Sequence, residues 1–311
     1  MTPKISIVTP TLNAAATVEA AILSVLAQNY PDFEHIIVDG GSDDATLDIC
    51  SRFPHLRIAQ DNRKGQSDAL NTGFELATGE IFGCLNADDI YLPHAFARAA
   101  SAITQGAYFV VGSVLYLDDH GRCLRNTPRT SLAAMLRHWE PDAFCINPAG
   151  YFYRREVHAA VGGFRLDNHY SMDLEFLLAA AARFELQPLD PARPMGIFYS
   201  FASSKTAEQG QQDQALWSRR SFPFIDQYLG DLPPSARRGF EWARRLGYAA
   251  RRSEQRLASL ALTRSSSESL PRRLVLGLWM SLRSLITKLL RLGAGITGRY
   301  PAPTQPGSGP R

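Results

Sequence analysis

Short apolar runs alternate with amphipathic stretches through the first hundred residues of the chain. Residues 5–8 have the length and apolarity of a buried strand, and residues 15–28 place Val18, Ala21, Ile22, Val25 and Leu26 on one face of a helix. The alternation continues with a strand at 36–38, a helix at 45–52, a short strand at 56–59 and a helix at 67–77 ended by Gly79. A strand at 81–85, a helix at 93–103 and a strand at 108–111 follow. Strands separated by helices predict an α/β fold, a mostly parallel sheet with helices on both faces. Ligands of such sheets bind beyond the carboxyl ends of the strands, which says where chemistry is to be sought.

The rhythm changes at Ser113. Residues 114–117 and 123–126, joined through Asp118, Asp119, His120 and Gly121, read as a hairpin, and helices are expected at 132–138, 155–161 and 172–184. The β/α body, residues 1–205, ends near Lys205, and residues 206–311 form a second region. There, 217–262 reads as helical and rich in Arg, 265–269 as a linker, 272–292 as a further helix and 301–311 as a disordered end.

Charge follows the same division. Residues 1–204 carry 15 basic and 23 acidic side chains, a net of −8, whereas 205–311 carry 18 and 7, a net of +11. An acidic body with a basic tail implies two regions with different tasks. Cys50, Cys84, Cys123 and Cys145 form no CxxC pair, and the seven histidines show no zinc spacing, so free thiols and a reducing compartment are expected. Met1 to Ile7 shows no signal region and no stretch reaches about 18 uninterrupted apolar residues, which predicts a cytoplasmic chain. A dinucleotide dehydrogenase is excluded because no GxGxxG follows a strand, and a P-loop NTPase because GxxxxGK[ST] is missing.

Three acids fall where this fold places ligands. Asp39 directly follows the strand at 36–38 and precedes Gly40 and Gly41, which permit a tight turn. Asp88 and Asp89 lie just past the strand at 81–85, on the same sheet edge. Adjacent carboxylates repel unless a cation offsets them, and a hard divalent ion bridging a diphosphate suits that place. The competing reading makes Asp88 and Asp89 the opening of the helix at Pro93, and the acids at 39–44 the cap of the next helix. Both segments on one edge favour a nucleoside-diphosphate site.

The motifs SIVTPTLN at 6–13, VDGGSDDAT at 38–46, GQSDALNTG at 65–73, ATGEI at 77–81 and LNADD at 85–89 stand in order. Together they resemble the inverting family 2 glycosyltransferases of the GT-A fold, over roughly residues 3–205. The resemblance implies a nucleotide-sugar donor, a glycan or glycolipid acceptor, no nucleic-acid partner, and a divalent metal, Mn²⁺ or Mg²⁺. It implies that Thr9 and Asp39 help hold the base, that Asp68 and Asn71 touch the donor, with a hydrogen bond inside the helix as the competing reading for Asn71, and that Asn86 and Asp88 match the D-x-D metal motif. Asn86 would then face the ribose and Asp88 the metal-bound diphosphate. Asn86 replaces the motif's first Asp, and no His precedes Ser204, Lys205 and Thr206 where the family often has one. MDLEFLL at 172–178 resembles the segment that supplies the general base, with Asp173 at the base position. Inversion needs such a carboxylate to take the acceptor hydroxyl's proton. The competing reading is that Asp173 and Glu175 are acids favoured by the dipole at a helix start. NPAGYFY at 147–153 falls in the family's acceptor-side region, and GGF at 162–164 resembles its turn before the base helix.

A sugar-phosphate nucleotidyltransferase would carry a Gly-rich loop near the first strand, and residues 9–13 contain no Gly. A catalytically silent partner in a polysaccharide-synthesis complex need not keep Asp39, Asp88 and Asp173 together. In 272–292, Gly277, Ser281, Ser284, Lys288 and Arg291 form a polar stripe opposite Leu274, Leu278, Trp279, Leu282, Leu285, Ile286 and Leu289. A basic amphipathic helix of this kind suits the anionic inner face of a cell membrane, with packing on protein as the competing reading.

Overall fold

The computed structural model describes residues 2–61, 65–118, 120–138, 140, 142–168, 171–200, 224–230, 234, 237–245 and 247–248. They fall into two compact units, one within 2–136 and 142–200, the other within 137–140 and 224–248. The expected linker at 265–269, helix 272–292 and end 301–311 lie outside the described residues, as do most of the expected helix 217–262 and Ser204, Lys205 and Thr206.

The first unit holds a seven-stranded sheet. Its strands in chain order are β1 (Ile5–Thr11), β2 (Phe33–Asp39), β3 (Leu56–Gln60), β4 (Ile81–Cys84), β6 (Phe109–Val111), β9 (Tyr151–Arg154) and β10 (Leu186–Pro188). Their order across the sheet is β10-β6-β9-β4-β1-β2-β3. All neighbours are parallel except at β9, which runs antiparallel to both β4 and β6. The predicted mostly parallel sheet is present, and the reversed strand inside it is an addition that the apolar rhythm did not reveal. A second sheet, β5-β11-β7-β8, joins β5 (Ile90–Tyr91), β11 (Gly196–Ser200), β7 (Val114–Asp118) and β8 (Cys123–Asn126), the last two being the expected hairpin.

β1 runs past the expected end at Val8 and through Pro10 to Thr11. Proline is tolerated there because β4 pairs only with residues 5–8, so the missing N–H faces no partner strand on that side. The helices α1 (Val18–Leu26), α2 (Thr46–Ser51), α3 (Gln66–Leu76) and α4 (Ala95–Thr104) connect the early strands. α3 lies directly on β1: a Cβ at Gly73 would overlap Val8 Cγ1 and come within 3.1 Å of Val38 Cγ2. Only glycine permits that approach.

After α5 (Leu132–Met135) and β9 come the helices α6 (Arg155–Val161) and α7 (Met172–Ala181), both of which meet β9 at Tyr153. An aromatic cluster fixes α7. Phe176 stacks on Phe164 at 4.6 Å between ring centroids, and Phe74 stacks on Phe82 at 4.9 Å. Tyr153 lies 5.1 Å from Phe176. Rings of this size each bury a large apolar area, and offset or tilted pairs add about 0.5–1.5 kcal/mol beyond it. His158 sits within the cluster, where burial pushes its pKa down to about 4, so it packs as a neutral ring.

In the second unit, α8 (Ile225–Leu229) and helical residues 237–245 enclose Arg244, whose guanidinium donates to Asp226 Oδ1 at 3.0 Å and Glu241 Oε1 at 2.5 Å. Two carboxylates offset the cost of burying that cation. His138 and Tyr248 share a hydrogen bond of 3.0 Å.

Candidate active site

The carboxyl ends of β1 and β2 form the first wall of the site. Asp39 ends β2 fully buried, and its carboxylate accepts four hydrogen bonds. Thr11 Oγ1 (2.9 Å) and Ser42 Oγ (2.6 Å) donate to Oδ1; the backbone N–H groups of Gly41 (2.9 Å) and Ser42 (2.8 Å) donate to Oδ2. Gly41 has φ 84°, the left-handed conformation that folds both N–H groups back onto the acid. Asn13, at φ 50°, accepts from the N–H of Asp43 through Oδ1, and its own N–H donates to Ser42 Oγ. Asp39 is thus the knot that ties the loops after β1 and β2 into one rim. Ahead of α2, Asp44 Oδ1 accepts from Thr46 N at 2.9 Å.

Thr9 lies one pleat deeper than the rim. Its hydroxyl is fully buried 2.9 Å from His35 Nε2, and Thr11 takes the place beside Asp39. Residues two apart on a strand share a face, so both threonines point the same way and only the second reaches the edge. Burial holds His35 neutral, with a pKa pushed down to about 3.

The second wall follows β4. Asp89 is fully buried and accepts from Asn86 Nδ2 (2.8 Å), Asn147 Nδ2 (2.7 Å) and the N–H of Tyr199 (3.1 Å). Even so, burial first and the Asp88 charge second push its pKa up to about 7. Asp88 is the partly open member of the pair, and burial raises its pKa as well. Asn86 Oδ1 accepts from Gln66 Nε2 at 3.0 Å, so Gln66, ahead of Asp68, links α3 to this segment. Asp68 is half-buried on the first turn of α3. Asn71, deeper in the helix, grips both backbone groups of Phe164 at 2.7 and 2.8 Å.

A buried segment carries the site onward. Asn147 caps a 3₁₀ turn, Pro148–Gly150, by accepting from Ala149 N at 2.9 Å while its amide holds Asp89. The chain then enters β9 at Tyr151, whose hydroxyl donates to Asp173 Oδ1 at 3.1 Å. Asp173 stands half-buried in the first turn of α7. Glu175, two residues along, is buried and held by Asn168 Nδ2 at 2.7 Å and by Arg165 Nε at 3.4 Å. Asp173 is therefore the more exposed of the two acids, and Glu175 secures the turn before the helix.

The donor set suits a cation only in part. Among the described residues no three His, Cys, Asp or Glu side chains stand close enough to cage a metal. Asp88 supplies one partly open carboxylate, and Asp89 and Asn86 are taken up by internal hydrogen bonds. Mg²⁺ and Mn²⁺ accept this arrangement when substrate phosphates complete the shell. Burial raises both acids, and at Asp89 the Asp88 charge adds to it; a cation beside them would favour the charged forms.

The sequence profile of glycosyl transferase family 2 matches residues 6–162, half of the chain. The chain belongs to that family. It is 44% identical over 107 residues to a PGL/p-HBAD biosynthesis glycosyltransferase of Mycobacterium bovis, a match covering 32% of this chain and 42% of that protein. It is 34% identical over 168 residues to a Nostoc glycosyltransferase, covering 50% and 52% of the two chains. The chain thus spans about half, or less, of the length of these relatives. Among solved structures it is similar to Staphylococcus aureus TarS in complex with UDP-GlcNAc, with a TM-score of 0.59, 17% identity, and 76% and 70% of the two chains covered. It is also similar to the mannosyltransferase PcManGT of Pyrobaculum calidifontis in complex with GDP-Man and Mn²⁺ (TM-score 0.56, 19% identity, 96% and 87% covered). These two likenesses show that the chain has the GT-A fold.

Proposed function

We propose that the enzyme transfers a sugar, with inversion, from a nucleoside-diphosphate sugar to a hydroxyl of a cell-surface glycan or glycolipid. The observation that carries this reading is the pair of partly open carboxylates, Asp88 and Asp173, tied to one buried segment through Asp89–Asn147 and Tyr151. Asp173 takes the proton of the acceptor hydroxyl as its oxygen bonds to the anomeric carbon and the bond to the diphosphate breaks. Asp88 is the residue that would hold Mg²⁺ or Mn²⁺, and such an ion offsets charge on the departing diphosphate. The rim knotted by Asp39 orients the nucleoside, with Asn86 and Asp68 lining its approach. Neighbours whose structures contain UDP-GlcNAc, or GDP-Man with Mn²⁺, support the donor class and the ion, and the mycobacterial relative's name supports a glycolipid acceptor.

Thermal unfolding with UDP, GDP or dTDP, each with and without Mn²⁺ or Mg²⁺, tests the donor half. One diphosphate at a hundred times its Kd should add about 2.7 kcal/mol, a rise of roughly 4–6 °C, and the rise should be larger with metal. A chain stabilised by none of them is not a donor-binding enzyme.

The basic region beyond residue 205 belongs to the same proposal as a contact with anionic lipid, which brings the enzyme to a lipid-linked acceptor at the inner membrane face. No helix among the described residues is long and apolar enough to cross a membrane. The full chain should float with anionic vesicles at low salt, and a chain ending before Ser265 should not. Equal flotation of the two removes the lipid contact from the proposal.

A further inference from the structure

We propose that Tyr151 is a positioning residue for the base: its hydroxyl fixes the orientation and the basicity of the Asp173 carboxylate. The inference rests on the reading of Asp173 as the base. Tyr151 is fully enclosed, and a phenol removed from water needs a hydrogen-bond partner. That partner is Asp173 Oδ1, at 3.1 Å.

The ring cannot follow the acid if it moves. It packs against Phe109 and Tyr153, with centroids 5.6 and 6.4 Å away, and its backbone is paired with Val111 inside the sheet. The residue before it is equally confined, because a Cβ on Gly150 would overlap Cys145 Sγ and reach within 2.9 Å of Val114 Cγ1. A donor fixed to this degree determines the rotation of the carboxylate about its own bond, and with it the direction from which a hydroxyl is met.

The surroundings give the bond weight. The Asp173 charge bears on Cys84 of β4, on Cys145, and on Tyr151 and Tyr153 of β9; burial before all else pushes every one of these acids up, Cys145 to about 12. All four stay neutral at working pH, so none of them competes with Asp173 for protons. A hydrogen bond donated to the charged form of a carboxylate favours that form.

The test measures release of nucleoside diphosphate from the matching nucleotide sugar, with water as acceptor, across pH. Tyr151→Phe keeps the ring and removes the proton. Donor-induced thermal stabilisation should be unchanged, turnover on the plateau should fall about tenfold through lost orientation, and the acid limb should move up by about one pH unit. A variant that only melts earlier, with its acid limb in place, overturns the proposal and leaves Tyr151 a packing residue. If Tyr151→Phe fails to fold, 3-fluorotyrosine at position 151, a stronger donor of the same shape, should move the limb down; no movement overturns the proposal equally. Asp173→Asn separates the two readings. If that variant turns over normally, the base assignment has failed; if it is inactive while Tyr151→Phe keeps the native profile, only the positioning role has failed.

Discussion

Asp88→Asn should leave the fold and the metal-free nucleotide response intact while removing the extra stabilisation that Mn²⁺ or Mg²⁺ adds to nucleoside-diphosphate binding. Asparagine keeps the shape and one oxygen but loses the charge of the carboxylate that is not already taken up by internal hydrogen bonds. Turnover should fall by at least a hundredfold, since a Lewis-acid contribution of several kcal/mol is lost at about 1.4 kcal/mol per factor of ten. In the native enzyme the metal-linked stabilisation should weaken as pH falls through about 7. The sign follows from the raised Asp89 pKa: below it the pair holds a proton that a cation must displace, and above it both carboxylates are charged. A variant that keeps its metal-linked rise in melting temperature would place the ion elsewhere.

The second large effect is expected of Asp173→Asn. Donor binding should survive, because the residue stands on α7 beside Tyr151 and away from the knotted rim of β1 and β2. Turnover should drop roughly 10²–10⁴-fold, the usual worth of a positioned base. Glu175→Gln is the control. Its carboxylate is occupied by Asn168 and Arg165, so this change should lower the melting temperature more than it lowers turnover. The reverse ranking of the two variants would transfer the base role to Glu175. Product stereochemistry, read by the anomeric proton coupling, should be inverted; retention would rule out single displacement.

Much of this arrangement is legible in the sequence. Apolar runs at 5–8, 36–38 and 81–85 separated by amphipathic helices predict the parallel half of the sheet, and acids at the ends of β2 and β4 mark its ligand edge. β9 escaped the same reading because Tyr151, Phe152 and Tyr153 are buried on both faces, so the strand shows no alternation of polar and apolar positions. β5, with two residues, is too short for periodicity to register. The division of labour between neighbouring acids was hidden for a different reason. Whether Asp88 or Asp89 stays open depends on Asn147 and Tyr199, which reach the pair from distant parts of the chain. Thr11 was within reach of sequence reasoning, since the strand period puts it on the face of Thr9 and nearer the ligand edge. Gln66 and Tyr151 carry no comparable signal.

The reversed strand has a consequence for how the protein is made. Synthesis delivers β3, β2, β1 and β4 early enough to pair, but β6 cannot join them, because its place in the sheet is next to β9. Until residue 154 has left the ribosome, the apolar segment Ile81–Cys84 presents a bare edge able to pair with another nascent chain. Insertion of β9 removes that hazard, and in the same movement it brings Asn147 to Asp89 and Tyr151 into line for Asp173. Chaperone demand should therefore be concentrated in the interval between those two strands, and a chain that has passed it needs only α7 and β11 to complete the site.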